Sequence, residues 1–545
     1  MVRAYVVYSI CSIPWLVDSA PDILQRLSSL PVIKQITEGL VRVTFFKQFV
    51  GADTAEECVP LLHSLRQANK GALLVYSVEV DENEITRNFV AGSASISHSD
   101  NPQKRIIDEM IHSVDVVANF EANLHDDAAA YTSASSGKST WVAIKLTALL
   151  PDPNALVALS SYIVNSRKLL SSSAPESAVP FPGAARPEDL DLVIHPSANS
   201  SCKDKLSSEH IQQLKGLYDD LVRICTRAKE RGVKVTIDAE YSWYQPAIDA
   251  LTLALMREFN SLSTSSTPTP NQPLVYGTFQ AYLRRTPMHI AVALADAKKH
   301  NYALGVKLVR GAYHPYEISA HDNKANGGGL SISPDREPPV WQEKAETDKA
   351  YDDCVRMLIE AVKEDIGRCS KEGTSSRSVP NANQERGNGW LSGLTAARRS
   401  TPPQNEPELR RSVPSVGVLF GTHNWKSCGL VLDEIVKNGL GTRVSSRTGG
   451  HLSSTSNVVR LDDEVVDRIA IGQLYGMSDD LSDWIVSRTI SSSPLVIKYM
   501  PYGALADVMP YLSRRAVENK SVLGEGGATN ERRRAAREIR RRLFG

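Results

Sequence analysis

The sequence predicts an α/β protein built as a distorted (β/α)8, TIM-like barrel preceded by N-terminal helices and interrupted by long low-complexity insertions. Two observations carry this. Short β-rich runs recur eight times, at 73–80, 141–149, 233–241, 275–283, 304–312, 416–424, 469–477 and 495–502, and several are followed by helical patterns such as 248–259 and 287–300. Strands alternating with helices argue for parallel β/α units, and eight is the number at which such units close.

The elements follow in order. Residues 18–70 read as helical, with apolar spacing near 3.6 over 22–30, 32–49 and 54–69 and breaks at Pro31 and Gly51. The barrel is expected over 71–525. The stretches 166–208, 260–273, 321–339, 370–414 and 442–456 are rich in Ser, Pro, Gly or Arg, too polar for a packed core, and read as surface insertions. The tail 526–545 is basic, with seven arginines between Glu531 and Phe544 and Ala536, Ile539 and Leu543 at helical spacing. It reads as a solvated basic helix, with attraction to anionic lipid as the alternative.

Composition narrows the classes. Lys+Arg and Asp+Glu each number 62 among 545 residues, so no overall field points to nucleic acid. The seven cysteines include no Cys-x-x-Cys pair, which argues against a zinc site or a disulfide-stapled fold and for a reducing compartment. No run reaches the ~20 uncharged apolar residues of a spanning helix. Residues 2–17 are the nearest candidate for a leader, diluted by Arg3 and Pro14 and without a small-residue cleavage pattern. Gly137-Lys138-Ser139 imitates a P-loop, but Thr132 stands where the first glycine belongs.

In a barrel of this kind chemistry sits where strands end. Those ends are polar here: Lys145 and Thr147, Asp238 and Glu240, Thr278, Gln280 and Tyr282, Lys307, Arg310 and Tyr313, Thr422, His423 and Asn424, Gln473 and Tyr475, and Tyr499 and Tyr502. Cations, one histidine, amides and aromatic rings without clustered carboxylates suit a flat, anion-bearing redox ligand better than a metal. No Gly-x-Gly-x-x-Gly follows any run, so a Rossmann dinucleotide site is not expected. Past the last run, Tyr511, Arg514, Arg515 and Glu518 share a sector about 100° wide on a helix. Two adjacent guanidiniums beside a phenol form a fork for a carboxylate, and Glu518, at i+4 from Arg514, is expected to hold that arginine. The helix is read as beginning near Asp507, with Pro510 in its first turn.

Thr-Ile-Asp238-Ala-Glu240, Gln280-Ala-Tyr282-Leu, Lys307-Leu-Val-Arg310-Gly-Ala-Tyr313, Gly-Thr-His423-Asn424, Gln473-Leu-Tyr-Gly-Met477 and the closing Tyr-x-Pro-Tyr-Gly and Tyr-Leu-x-Arg-Arg-x-x-Glu-Asn strings resemble proline dehydrogenases of the fungal, mitochondrial branch, in family order over about 30–525. The resemblance implies a barrel holding FAD noncovalently. It implies oxidation of L-proline to Δ1-pyrroline-5-carboxylate by hydride transfer to flavin N5, with electrons passed to a quinone, as the first step of proline catabolism. It also implies peripheral association with the matrix side of the inner mitochondrial membrane, although no presequence is recognised in the chain. Carried over, the substrate contacts fall on Lys145, Asp238, Tyr499, Tyr511, Arg514 and Arg515, with Asp238, Lys307 and Arg310 the expected catalytic set. Flavin contacts fall on Ala239, Gln280, Lys307, Val309, Arg310, Gly311, Ala312, Tyr313, Thr422, His423 and Asn424, with Glu518 serving either the arginines or the ribityl chain. Which of Lys307 and Arg310 meets the isoalloxazine is left open. In the family a tyrosine at the position of Tyr511 goes with proline, and a serine with hydroxyproline.

Other readings are a methylenetetrahydrofolate-reductase-like flavin barrel, a hydroxyproline dehydrogenase, a Schiff-base aldolase using Lys145, and a barrel scaffold whose insertions are docking segments. The double arginine points to a small amino acid and away from a pterin.

Overall fold

Strands form where the apolar runs are, and their order around the axis closes a ring. The structure, a computed structural model, describes residues 2–13, 15, 31–77, 102–128, 139–171, 179–195, 206–262, 273–325, 329–375, 415–446, 456–521 and 527–544. Its strands are β1 (Lys70–Tyr76), β2 (Thr140–Ile144), β3 (Val235–Ile237), β4 (Val275–Gln280), β5 (Leu304–Val309), β6 (Val416–Gly421), β7 (Gly441–Ser446), β8 (Ser456–Leu461), β9 (Ile469–Leu474), β10 (Thr489–Ile490) and β11 (Val496–Tyr502). Eight of them, in the order β1-β11-β9-β6-β5-β4-β3-β2, make a closed barrel, and every pair in it is parallel. The expected barrel is present. Each of the eight runs supplies one strand, and all but β11, which ends with its run at Tyr502, stop earlier than the runs. Residues after Ile144, for instance, turn into a short 3-10 helix, Thr147–Leu149; Lys145, Asp238, Glu240, Arg310 and Thr422 thus lie just past their strands at the barrel mouth, while Gln280, Lys307 and Tyr499 stay within β4, β5 and β11.

Strand parity sorts the side chains. Leu73, Val75, Trp141, Ala143, Tyr276, Leu419, Ala470 and Ile497 form one buried cluster, with Tyr499 packed on it; these alternate positions fill the barrel interior. Their neighbours in sequence, such as Leu74, Val142, Val418 and Ile471, join the larger core beneath the helices. Those helices are placed by local signals. Ser207 accepts the His210 N–H at the start of Ser208–Arg231, and Gly232, at φ 64°, closes it. Asn424 accepts from Lys426 and Ser427 N–H at the start of Trp425–Lys437.

The ends of the chain cover one side of the mouth. Val7, Tyr8 and Cys11 of the Val2–Cys11 helix are buried against Phe46, Phe49, Val508, Tyr511 and Leu512. The run 32–49 is helical as expected, as Pro31–Val41 followed by a π turn, Arg42–Phe46, and Lys47–Phe49; the run 22–30 lies outside the described residues. Leu505–Ser521 begins two residues before Asp507, so Pro510 sits inside the helix and not in its first turn. The Gly527–Phe544 helix packs beside Val2–Cys11.

Several stretches read as insertions carry structure. Within 166–208, Phe181, Leu190 and Val193 are buried and Asp189 pairs with Arg167 at 2.5 Å. Within 321–339, Ser331 and Ser333 are buried. The 442–456 stretch supplies parts of β7 and β8, which pair antiparallel and form a small sheet with β10. A few well-spaced apolar residues are enough to pin such segments, and composition averages hide them. Residues 263–272 and 376–414 lie outside the described set.

Candidate active site

Parity puts Lys145, Asp238, Gln280, Lys307 and Tyr499 on the inward rows at or just past strand ends. Lys307 Nζ donates to Asp238 Oδ1 at 2.5 Å, and Tyr499 Oη donates to Asp238 Oδ2 at 2.7 Å, so both carboxylate oxygens are engaged. The Lys307 ammonium also lies 4.8 Å from the Tyr499 ring centroid. Asp238 and Lys307 are both buried, and a charge pair desolvated in this way is held by its geometry, since either partner alone would be costly there. Lys145 is buried as well, and its charge lowers the pKa of Glu240, which burial raises more strongly. Glu240 accepts from Thr147 N–H at 3.1 Å and from the Thr147 hydroxyl at 2.5 Å, tying the loop after β2 to the loop after β3.

Arg310 does not share this position. Its Nε donates to Asp348 at 2.7 Å, its two terminal nitrogens to Thr422 Oγ1 at 2.6 Å and Ser427 Oγ at 2.8 Å, and its guanidinium lies 4.2 Å from the Tyr351 ring centroid. Thr422 stands at the end of β6, Ser427 in the Trp425–Lys437 helix, and Asp348 and Tyr351 in the Lys344–Ser375 helix. Lys307 is therefore the cation of the pair that is grouped with Asp238 and Tyr499. The Asn424 side-chain oxygen is likewise engaged as a helix cap.

The paired arginines split their partners. Arg515 is buried, pairs with Glu518 at 2.6 Å and lies 4.7 Å from the Tyr511 ring centroid. Arg514 donates to Tyr313 Oη at 3.0 Å, with its guanidinium 5.4 Å from that ring centroid. The expectation that Glu518 holds Arg514 is thus corrected: i,i+3 spacing brings it to Arg515. Tyr313 follows Gly311, whose φ of +121° and close approach to the Tyr282 ring, 2.5 Å from where a Cβ would stand, exclude a side chain there.

Among the described residues, Gln280 Oε1 and His423 Nδ1 are two of the buried side-chain atoms with no hydrogen-bond partner in the chain. Gln280 Nε2 donates to the Glu240 carbonyl at 3.2 Å and to Tyr282 Oη at 3.3 Å, leaving Gln280 Oε1 without a donor. His423 Nε2 accepts the Leu474 N–H at 3.2 Å, so the neutral ring carries its proton on Nδ1, which has no acceptor. Buried polar groups are nearly always hydrogen-bonded, so an acceptor and a donor left over at strand ends have capacity to bond a ligand. Ala239, Val309, Ala312 and Thr422 stand beside these groups in the strand-end segments.

Sequence reasoning missed the aromatic wall. Tyr241 and Trp243 stack at 4.4 Å with an 8° interplanar angle, and Tyr241 lies 4.3 Å from Tyr313. It also missed the buried Glu317, which accepts from Ser242. The adjacency of Tyr241 and Trp243 to Asp238 and Glu240 was the available signal.

Burial, with Lys498 and Arg515 nearby, lowers the pKa of His423 from 6.5 to about 3. The unfolded chain takes up a proton below pH 6.5 while the folded chain does not. The contribution of neutral His423 to stability is therefore complete above 6.5 and is lost as pH falls toward 3. His423→Gln, which keeps an acceptor for Leu474 N–H, is expected to make acid-side urea unfolding less pH-dependent than in the parent; equal slopes would contradict this burial.

A family model for proline dehydrogenase matches residues 90–526. The chain is 26% identical to a probable mitochondrial proline dehydrogenase of Schizosaccharomyces pombe over 553 residues, covering 100% of this chain and 88% of that one. It is 23% identical to the mitochondrial proline dehydrogenase 1 of Dictyostelium discoideum, covering 99% and 72%, and 26% identical to a hydroxyproline dehydrogenase of Rattus norvegicus, covering 100% and 91%. Among solved structures, proline utilization A from Bdellovibrio bacteriovorus inactivated by N-propargylglycine aligns with a TM-score of 0.51 at 17% identity, covering 90% of this chain and 34% of that much longer one. That likeness bears on the fold. With the family match spanning most of its length, the chain belongs to the proline dehydrogenase family.

Proposed function

We propose that the protein is an FAD-dependent proline dehydrogenase that oxidises L-proline to Δ1-pyrroline-5-carboxylate and passes the electrons to a quinone, in mitochondria. The observation that carries this reading is the meeting, at one barrel mouth, of the Asp238–Lys307–Tyr499 group with the Arg514–Arg515 pair on the helix that follows the last strand. Family membership and the relatives named mitochondrial support it.

The residues present fit a flavin. Gln280 Oε1 and the His423 Nδ1–H are an acceptor and a donor suited to a ring edge that carries both N–H and carbonyl groups. Lys307 supplies positive charge beside it, with Ala239, the Val309–Tyr313 segment and Thr422 as its backbone and hydroxyl lining. Arg310 and Asn424 act by fixing that lining. When bound, FAD supplies the acceptor for the hydride that leaves the ring carbon next to the substrate amine.

The chain's own task is orientation. Arg514 and Arg515 grip the substrate carboxylate, with Glu518 and Tyr313 holding the guanidiniums; Lys145 adds a cation to the same pocket. Tyr499 and Tyr511 wall the ring. Asp238 has both oxygens occupied by Lys307 and Tyr499, which suits it to fixing those two groups. Glu518 serves the arginine in this arrangement.

The rat relative is named for hydroxyproline, which makes the choice of ring substituent a separate question. Tyr511 is buried with Arg515 stacked on its ring, so the phenol fills the space where a 4-hydroxyl would sit, and overpacking of that kind costs about 1–3 kcal/mol. FAD-loaded protein is expected to bleach anaerobically with L-proline, and to prefer it over trans-4-hydroxy-L-proline by at least about tenfold in kcat/KM. A folded, FAD-loaded protein that does not bleach would sink the reading, and equal rates on the two would remove Tyr511 from specificity.

Arg514→Met is expected to lower kcat/KM for proline by the ~2–4 kcal/mol of a lost charge-assisted contact, about 30- to 900-fold, chiefly through KM and with FAD content nearly unchanged. Near-parental kinetics in both Arg514→Met and Arg515→Met would show that the pair does not bind substrate.

Peripheral membrane association is part of the proposal. No helix among the described residues is long and apolar enough to cross a bilayer. Ile33, Ile36, Leu40 and Val43 are exposed along one face of the N-terminal helices, and the arginine-rich Gly527–Phe544 helix packs beside Val2–Cys11. Apolar contact beside positive charge fits an anionic bilayer surface. Sedimentation with phosphatidylglycerol vesicles at low salt, lost at high salt and absent with phosphatidylcholine, is the expected result; no sedimentation with either would overturn it.

A further inference from the structure

Glu317 lies in the first turn of the His314–Ala325 helix, 1% exposed, and has no place in the reaction derived above. Its Oε1 accepts the Ser242 N–H at 2.7 Å and its Oε2 accepts the Ser242 hydroxyl at 2.6 Å. Tyr282 Oη stands 3.5 Å away. One carboxylate thus spans the loop after β3, the end of β4 and the helix after β5.

Ser242 sits between the two stacked rings of that loop, Tyr241 and Trp243. Tyr241 packs on Tyr313, and the Tyr313 hydroxyl accepts from Arg514. The same Tyr282 phenol accepts from Gln280, whose Oε1 is the orphan acceptor of the mouth. Every contact Glu317 makes therefore leads, in one or two steps, to a group assigned to substrate or flavin.

We propose that Glu317 is a positioning residue for the carboxylate-binding end of the site: by fixing Ser242 it holds the Tyr241–Tyr313 stack, and with it the hydroxyl on which Arg514 rests. This rests on the proline reading for the identity of the substrate, and on the geometry alone for the link from Glu317 to Arg514.

Such a link is pH-sensitive. Burial raises the Glu317 pKa from 4.5 to about 7, opposed by the Ser242 and Tyr282 hydrogen bonds, all from neutral donors. Bonded to it are Ser242 from the loop after β3 and Tyr282 just past β4, with Tyr313 among the groups that act on Tyr282. Burial keeps Tyr282 neutral far above pH 7. Because the folded value lies above the unfolded one, this group's contribution to stability is complete below pH 4.5 and is lost as pH rises through about 7. Yet the ionised form accepts both Ser242 donors more strongly, since in the acid one oxygen carries a proton and is the weaker acceptor. The fold gives up some stability near neutral pH in exchange for the two-point hold.

The test uses FAD-loaded protein and the variants Glu317→Gln, Glu317→Ala and Ser242→Ala. Glu317→Ala is expected to raise KM for L-proline about tenfold while kcat stays within about threefold, and Ser242→Ala combined with it to add little, since coupled residues are not additive. Independently of turnover, near-UV circular dichroism of the parent is expected to change between pH 6 and 8 as the aromatic stack responds, and Glu317→Gln to abolish that change. Parental KM in both Glu317 variants, or a parent whose near-UV spectrum is pH-invariant, would overturn the proposal. Should Glu317→Ala not fold, Glu317→Gln and Ser242→Ala decide it. Should the parent not turn over proline, the proline reading fails while the spectroscopic arm still decides the Glu317 link.

Discussion

The pairing of the first barrel strand with the last is the constraint on which the rest depends. β1 and β11 run in parallel register from Lys70–Val496 to Tyr76–Tyr502, joining segments more than 400 residues apart in sequence. Closure leaves no free barrel edge and forces every strand to bury both faces, one against the interior and one under helices. Polar side chains then have few places to stand except the strand ends. It also delivers the Leu505–Ser521 helix, directly after β11, to the mouth where β3 and β5 end.

Within that frame, desolvation sets the electrostatics. Asp238 is satisfied by an ammonium and a phenol, Glu240 by a backbone N–H and a threonine hydroxyl, and Glu317 by a serine. Only the first of these pairs directly with a cation at hydrogen-bond distance. The other two are pushed upward by burial, Glu317 to about 7, which places a titrating carboxyl in the wall of the site. His423 is driven the opposite way by the same burial and by nearby cations, and stays a neutral donor.

The ends of the chain support the Leu505–Ser521 helix from behind. Tyr8 Oη and Gln48 Nε2 both donate to the Gly476 carbonyl at 2.8 Å, and Gly476, at φ 74°, leaves no room for a side chain because the Gln48 carbonyl would stand 1.8 Å from its Cβ. Val7, Cys11 and Phe49 share one apolar cluster with Tyr511 and Leu512. The N-terminal helix thus packs on the same helix that carries Arg514 and Arg515. Burial of such side chains contributes about 1.5–3 kcal/mol each.

Sequence by itself determined the class of fold, because eight β-rich runs separated by helical patterns admit few closed arrangements, and it located the strand-end residues, because polar groups at the close of apolar runs are visible without coordinates. It also placed Tyr511, Arg514, Arg515 and Glu518 on one helical face, from periodicity alone. Tertiary structure alone decided which of those residues meet. Glu518 holds Arg515 and leaves Arg514 to Tyr313, since the partner of each guanidinium depends on what the barrel brings beneath it. Lys307 and Arg310 are three residues apart on one strand end, and only strand parity and the positions of Asp348, Thr422 and Ser427 separate an inward cation from one bound into the surrounding helices. Glu317 was invisible for the same reason: its bonds to Ser242, like the packing of Tyr241 on Tyr313, join segments whose proximity comes from barrel closure, whereas the Tyr241–Trp243 pair stood in view beside Asp238 and Glu240.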